Sequence, residues 1–192
     1  MHGFAGAAGR RLTWSVRRQC AQMEIRSALP TDAHAIAQIH VSGWQSAYRG
    51  LVPQAHLDGL SVAKRETSWA NSIETGQPHI LVAESGTGVI GWVAFGRCRD
   101  PDKSDDTGEI WAIYVAPEQL GRGVGRELWL SAFAELRRSA YREVTLWVLA
   151  QNDRACQFYA KAGFFPEPAS AKTVEIGGAK LQELRFARSI AA

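Results

Sequence analysis

Cysteine is scarce in this chain. Cys20, Cys98 and Cys156 are scattered, odd in number and form no C-x-x-C pair. That argues against a disulfide framework and a cysteine-ligated zinc site, and for a reducing compartment, the cytoplasm. Long apolar runs are missing as well: nothing approaches the roughly 18 residues that suggest a membrane span. The five histidines lack metal-ligand spacing, and His34 and His40 are too far apart for an i, i+4 pair on one helical face. No metal is expected. An excess of one charge is also absent from the body of the chain. The net +3 is produced by residues 1–22, where Arg10, Arg11, Arg17 and Arg18 stand without an acid, leaving 18 bases against 19 acids in the remainder. A near-neutral body gives no support to a nucleic-acid or membrane partner. The first 22 residues also lack the apolar core of a secretory signal, so they read as a disordered N-terminal extension ahead of Met23.

What is present suits one domain over residues 23–190. The 192 residues are enough for a sizeable core, and 46% apolar with 21% charged residues is an ordinary globular balance. Residues 23–28 read as a strand. Pro30-Thr31-Asp32 opens a helix whose apolar face includes Ala33, Ile36, Ala37 and His40. Two more helical pieces follow, from Pro53 to Leu60 and from Val62 to Thr75, the second ending at Gly76. His79 to Glu84 and Val89 to Phe95 form a hairpin pattern around Ser85-Gly86-Thr87-Gly88. Beyond the acidic loop Asp100 to Asp106 comes a strand, Glu109 to Val115, and then a helix from Val124 to about Ala140. That helix places Val124, Leu128, Ala132 and Leu136 at i, i+4 spacing. Val144 to Leu149 is a further strand. Asp153 to Ala162 is a helix with Asn152 as N-cap, and Lys172 to Ile176 and Ala179 to Arg188 flank the hairpin signal Gly177-Gly178. The order predicts an α/β fold with a mixed sheet.

The junction between the strand ending at Val115 and the helix starting at Val124 carries the chemistry. Pro117 stops the strand, and Gly121, Gly123 and Gly125 fall at every second position. Without Cβ a ligand reaches the backbone closely, and the helix start offers unpaired N–H groups and about half a positive charge. Such a junction suits a phosphorylated ligand; the alternative is a tight turn and no more. A Walker loop is excluded, since Arg126 and Glu127 follow Gly125 where Lys and Ser/Thr belong. A Rossmann fingerprint is excluded because the spacing is G-x-G-x-G, with no late glycine.

With its surroundings this stretch resembles the signature of the GNAT superfamily of acyl-CoA-dependent N-acyltransferases, Val-x-Pro-x-x-[Arg/Gln]-x-x-Gly-x-[Gly/Ala]. Val115, Pro117, Gly123 and Gly125 match it, and Leu120 departs from it where Arg or Gln usually stands. A second block, Asn152, Ala155, Phe158, Tyr159, Gly163 and Phe164, is similar to the family's N-x-x-A-x-x-F-Y-x-x-x-G-F. The resemblance spans Met23 to about Ile190. It implies the acyl-CoA N-acyltransferase fold: a central, mostly antiparallel sheet flanked by helices, with two strands splayed apart. It also implies acetyl-CoA as co-substrate and a homodimer as one admissible assembly.

The resemblance further implies roles for particular residues. Backbone groups of Ile113, Tyr114 and Val115 would bond the pantetheine arm as an added strand. Leu120, Gly121, Arg122, Gly123, Val124, Gly125 and Arg126 would take the pyrophosphate, chiefly through amides, with Asn152 nearby. The Arg122 and Arg126 side chains either add charge-assisted contacts or are solvated decoration. Tyr159 matches the general-acid position of the family's F-Y pair; its alternative is a half-buried aromatic with a satisfied hydroxyl.

Acyl transfer to an amine also needs a base, because an amine of pKa about 10.4 is only about one part in 2,500 neutral at pH 7. Glu109 begins the central strand, where the family often sets a carboxylate. Strand alternation would place Trp111, Ile113 and Val115 on its face, and a carboxyl desolvated by such neighbours moves toward a base's working range. Its alternative is a surface carboxylate, and Glu84 and the acidic loop are weaker candidates. Trp44 and Tyr48, in the aromatic, loop-like segment Gly43 to Pro53, would line the acceptor pocket or else anchor the loop. Two functions follow: an N-acetyltransferase acting by direct attack of a primary amine of a small molecule or peptide, or a non-catalytic acyl-CoA-binding regulatory module on the same fold.

Overall fold

One pairing in the sheet stops early, and that interruption makes the site. The computed structural model describes residues 23–190; the expected extension, 1–22, lies outside the described residues. The elements in chain order are β1 (Glu24–Ser27), α1 (Ala33–Ala47), α2 (Gln54–Asp58), α3 (Val62–Thr75), β2 (His79–Ser85) and β3 (Gly88–Arg97). The chain continues through β4 (Thr107–Val115), α4 (Val124–Arg138), β5 (Glu143–Leu149), α5 (Asp153–Lys161) and β6 (Phe165–Pro166), and closes with β7 (Lys172–Ile176) and β8 (Ala179–Ser189). The sheet runs β1-β2-β3-β4-β5-β8-β6, with β7 also on β8. Every pairing is antiparallel except β4 with β5.

The parallel ladder joins only Thr107–Ile110 to Glu143–Leu146. Past Ile110, β4 keeps β3 on one side, from Ala94↔Ala112 to Gly91↔Val115, and has no strand on the other. Past Leu146, β5 pairs only with β8. The two strands therefore diverge, and part of the β4 backbone from Trp111 to Val115 is left without a ladder partner.

Helical periodicity explains the layers. On one face α4 lays down Val124, Leu128, Ala132 and Leu136, all almost fully buried, against Ile110, Val144 and Leu146. The other face is covered by α1 and α3 through Ile36, Ile39 and Trp69 over Trp92 and Ala94. A β-bulge between these layers corrects the simple alternation expected for β4. Ala94 pairs Ala112 but Phe95 pairs Ile110, so Trp111 is the extra residue. Ile113 and Val115 consequently pack with Ile110 on the α4 face, while Trp111, Ala112 and Tyr114 go to the α1 face. Glu109 and Trp111 do not share a face with Ile113 and Val115.

Two polar assemblies fix the surroundings of the cleft. Arg185 of β8, itself buried, bonds Asp100 at 3.0 Å, Asp102 at 2.8 Å and Glu167 at 2.5 Å, which clamps the acidic loop onto the sheet. Under α3, His40 Nδ1 accepts from Trp69 Nε1 at 3.1 Å inside a group of aromatic rings. Burial pushes the His40 pKa down to about 3 from 6.5. The unfolded chain then binds a proton that the folded one refuses between these values, so stability is intact above the unfolded pKa and falls as pH drops. Urea unfolding at about pH 6.5, 5.5 and 4.5 should show a loss of up to about 1.4 kcal/mol per pH unit. His40→Phe should flatten that slope whatever it does to stability at neutral pH. An unchanged slope would mean that other groups cause it.

Candidate active site

The divergence of β4 and β5 opens a cleft of about 1030 Å³, bounded also by the end of α1, the loop before α4, α5 and the β7–β8 hairpin. At one end lies the glycine loop. A short 3-10 turn, Pro117–Gln119, follows β4, and α4 starts at Val124 with Gly123 as N-cap. Gly121 and Gly123 sit at φ +80° and +86°, and a Cβ on either would project into open space. Positive φ is costly for L side chains, which is why this turn takes glycine. Among the described residues, the amides of Gly121, Gly123, Val124, Gly125 and Arg126 find no backbone acceptor, as the first turn of a helix requires. No side chain caps them. The loop is thus a row of N–H donors at a positive helix end, open to the cleft, and it fits a phosphate group.

Most of the residues singled out in the sequence come together here. Trp44, Tyr48, Glu109, Ile113, Tyr114, Val115, Leu120, Gly121, Gly123, Val124, Gly125, Arg126, Asn152 and Tyr159 all line the cleft. Arg122 does not; it is exposed outside the lining. Arg126 is exposed as well and bonds its neighbour Glu127 at 2.8 Å, which offsets a cation placed at a helix start. Asn152 caps α5 as its position suggested, its Oδ1 accepting from the Ala155 amide at 3.2 Å. Glu84 and the first acids of the acidic loop are already paired, although Asp100 lines the cleft. Glu84 is held by Arg26 of β1, and Asp100 and Asp102 are held by Arg185.

Tyr159 projects from α5. Its ring packs against Phe158 and Phe164, and its edge belongs to the cleft lining. Burial, with the nearby Tyr48 phenol, drives its pKa upward from 10. The phenol therefore stays protonated through the neutral range and acts as a donor. Trp44 and Tyr48 are not in a loop. α1 runs on to Ala47 with Tyr48 as its C-cap, so their four-residue spacing brings the rings to 4.9 Å edge to face. The Tyr48 hydroxyl is 3.5 Å from that of Tyr114, and burial raises the pKa of both phenols.

Glu109 is 1% exposed, but its setting is not the apolar one expected from its strand neighbours. Arg99 donates its backbone N–H at 3.0 Å and its Nε at 3.1 Å to Oε2, and its Nη2 to Oε1. A carboxylate offers about four acceptor positions, so one remains, on Oε1. In turn the carboxylate raises the pKa of Arg99. Arg99, Trp147, Lys172 and Glu183 also line the cleft and were not read from the sequence. A signal for Arg99 did exist: β3 and β4 form a hairpin in which Gly96 faces Glu109, so the residues just beyond β3 must lie near Glu109. No short sequence spacing marks the other three, because α1, β5 and the β7–β8 hairpin meet only in the folded chain.

Comparison with known proteins agrees with this geometry. The acetyltransferase (GNAT) family model matches residues 44–164. The uncharacterized N-acetyltransferase YuaI of Bacillus subtilis (strain 168) is 29% identical over 161 residues, which cover 83% of this chain and 89% of YuaI. The probable N-acetyltransferase Rv2775 of Mycobacterium tuberculosis is 31% identical over 74% of this chain and 79% of its own. In fold, the chain resembles the PaiA N-acetyltransferase of Thermoplasma acidophilum, solved in complex with coenzyme A. That likeness has a TM-score of 0.69 at 20% identity, over 88% of this chain and 99% of that one. YncA of Salmonella typhimurium, a putative acetyltransferase solved with its cofactor acetyl-CoA, matches with a TM-score of 0.66 at 23% identity, over 87% and 93%. With the glycine loop, the splayed strands and the Phe158-Tyr159 pair on one cleft, the chain belongs to the acetyltransferase (GNAT) family.

Proposed function

We propose that this chain is an N-acetyltransferase that moves an acetyl group from acetyl-CoA to a primary amine by direct attack. The observation that carries the reading is the convergence of two features on one cleft, the free amides of Gly121 and of Gly123 to Arg126, and the Tyr159 hydroxyl. The amides suit the pyrophosphate of acetyl-CoA. The unpaired side of β4 from Ile113 to Val115 suits the amides of its pantetheine arm, in the manner of an added strand. The amine nitrogen attacks the thioester carbonyl and the C–S bond breaks. Tyr159 donates a hydrogen bond to the departing thiolate, and the proton lost by the amine passes to Glu109, directly or through one water at its remaining acceptor position. Residues 23–190 act as one catalytic domain in this reading, and the cytoplasm, where acetyl-CoA is available to a chain with unpaired thiols, is its setting.

The acceptor is a small molecule or a peptide with a primary amine. Trp44, Tyr48 and the cleft wall beyond them form its pocket. The test is thiol release from acetyl-CoA across a panel of amines, amino acids and peptides. Acceptor-dependent release is the expected result. Tight acetyl-CoA binding by calorimetry without turnover on any acceptor would favour the binding-module alternative instead.

A further inference from the structure

The cleft wall away from the glycine loop carries charges in an uneven state of pairing. Its acids are nearly all engaged: Glu109 by Arg99, and Asp100 by Trp147 and Arg185. Glu183 alone is held loosely, by Lys172 at 3.5 Å. Arg99 is the opposite case. Its guanidinium has five N–H donors; Nε and Nη2 reach Glu109, and Nη1 has no partner among the described residues. The side chain is 54% exposed and lines the cleft.

This is not a freely moving surface arginine. Glu109 fixes one edge, the Trp111 ring lies under the plane with its centroid 4.1 Å from Cζ, and the next residue, Asp100, is tied to Trp147 and Arg185. The entropy of holding the fork in place is therefore already met before a ligand arrives. A planar cation with unpartnered parallel N–H groups matches the two oxygens of a carboxylate and repels an ammonium.

We propose that Arg99 reads a carboxylate on the acceptor, so that the acceptor is an amino-carboxylate, a small molecule carrying an amine and a carboxylate close together. The role given to the amine rests on the acetyltransferase reading above. Glu183 lines the same cleft and keeps oxygen positions for the ammonium end, and Trp111 and Trp147 add aromatic surface to its lining.

Phenylacetate and its neutral amide, phenylacetamide, serve as probes, titrated into the full chain with and without coenzyme A and followed by tryptophan fluorescence. The wild type should bind the carboxylate about tenfold or more tighter than the amide, the difference one charge-assisted pair supplies. The double variant Arg99→Gln/Glu109→Gln removes both charges without leaving a buried carboxylate alone, and it should bind the two probes alike. Equal binding by the wild type, no phenylacetate binding up to about 10 mM, or a double variant that keeps the preference overturns the assignment. Acetyl-CoA affinity, measured by calorimetry on the same protein, separates the two readings. Its absence rejects the acetyltransferase, whereas acetyl-CoA binding without a carboxylate preference rejects only the role of Arg99.

Discussion

Tyr159→Phe is expected to lower kcat by about 10²-fold or more while acetyl-CoA affinity stays within a few-fold. The substitution removes one oxygen and keeps the ring that packs on Phe158 and Phe164, so the local core is preserved. The effect falls on the leaving group. A CoA thiolate has a reference pKa near 8.5 and an unperturbed phenol one near 10, so complete proton transfer is uphill by roughly 2 kcal/mol. Burial drives the Tyr159 pKa further up, which makes hydrogen-bond donation to the developing thiolate the larger part of its contribution. It also sets the pH dependence. A donor whose pKa is raised loses its proton only at higher pH, so Tyr159 causes no alkaline fall in rate below about pH 10. Loss of kcat with little change in binding is the mark of an interaction made mainly in the transition state. Steady-state kinetics beside calorimetric titration checks this. Near-normal turnover in the variant would reduce Tyr159 to a packing residue and leave the acyl-CoA assignment standing.

Gly123→Val should weaken acetyl-CoA binding by about 10²-fold or more, the scale of losing two or three charge-assisted hydrogen bonds of about 1.5 kcal/mol or more each. Gly123 is the N-cap of α4 at φ +86°, where a β-branched residue is strongly disfavoured, so the loop must change shape to accept it. The new Cβ itself would meet no neighbour within 4 Å, so the cost comes from the backbone of the loop and not from a clash. Two comparisons make the result specific. Gly125 is in the first turn of α4, and a Cβ there would meet Phe158 and Val115 at 3.6 Å, an ordinary contact, so Gly125→Ala should be far milder. Leu120→Ala should also matter little, since the contact assigned to that position is through the backbone. Calorimetric titration of the three folded variants decides the matter. Equal affinity for wild type and Gly123→Val would remove the loop from the cofactor site.

The layered fold was legible because its elements are locally encoded. The i, i+4 run Val124, Leu128, Ala132, Leu136 became the buried stripe of α4, Asn152 became the cap of α5, and Gly177-Gly178 became the β7–β8 turn. The extent of α1 was not legible. Gly43 and the aromatics after it read as a loop, yet the helix runs on to Ala47 because Trp44 and Tyr48 pack against Tyr114 and the β7–β8 side of the cleft. Tertiary packing outweighed a poor local helix propensity. The bulge at Trp111 was equally invisible, since one extra residue in β4 has meaning only against the register of β3.

Sequence by itself determined the glycine loop, the Asn152 to Phe164 block and the order of helices and strands. Each depends on neighbours along the chain, through backbone dihedrals, caps and periodicity, and so is written in short spacings. Tertiary structure alone decided how far β4 and β5 stay paired, which face Glu109 takes, and that Arg99 occupies most of its carboxylate. Those outcomes are set by register and by charges that meet across the sheet, where a shift of one residue turns a side chain to the opposite face.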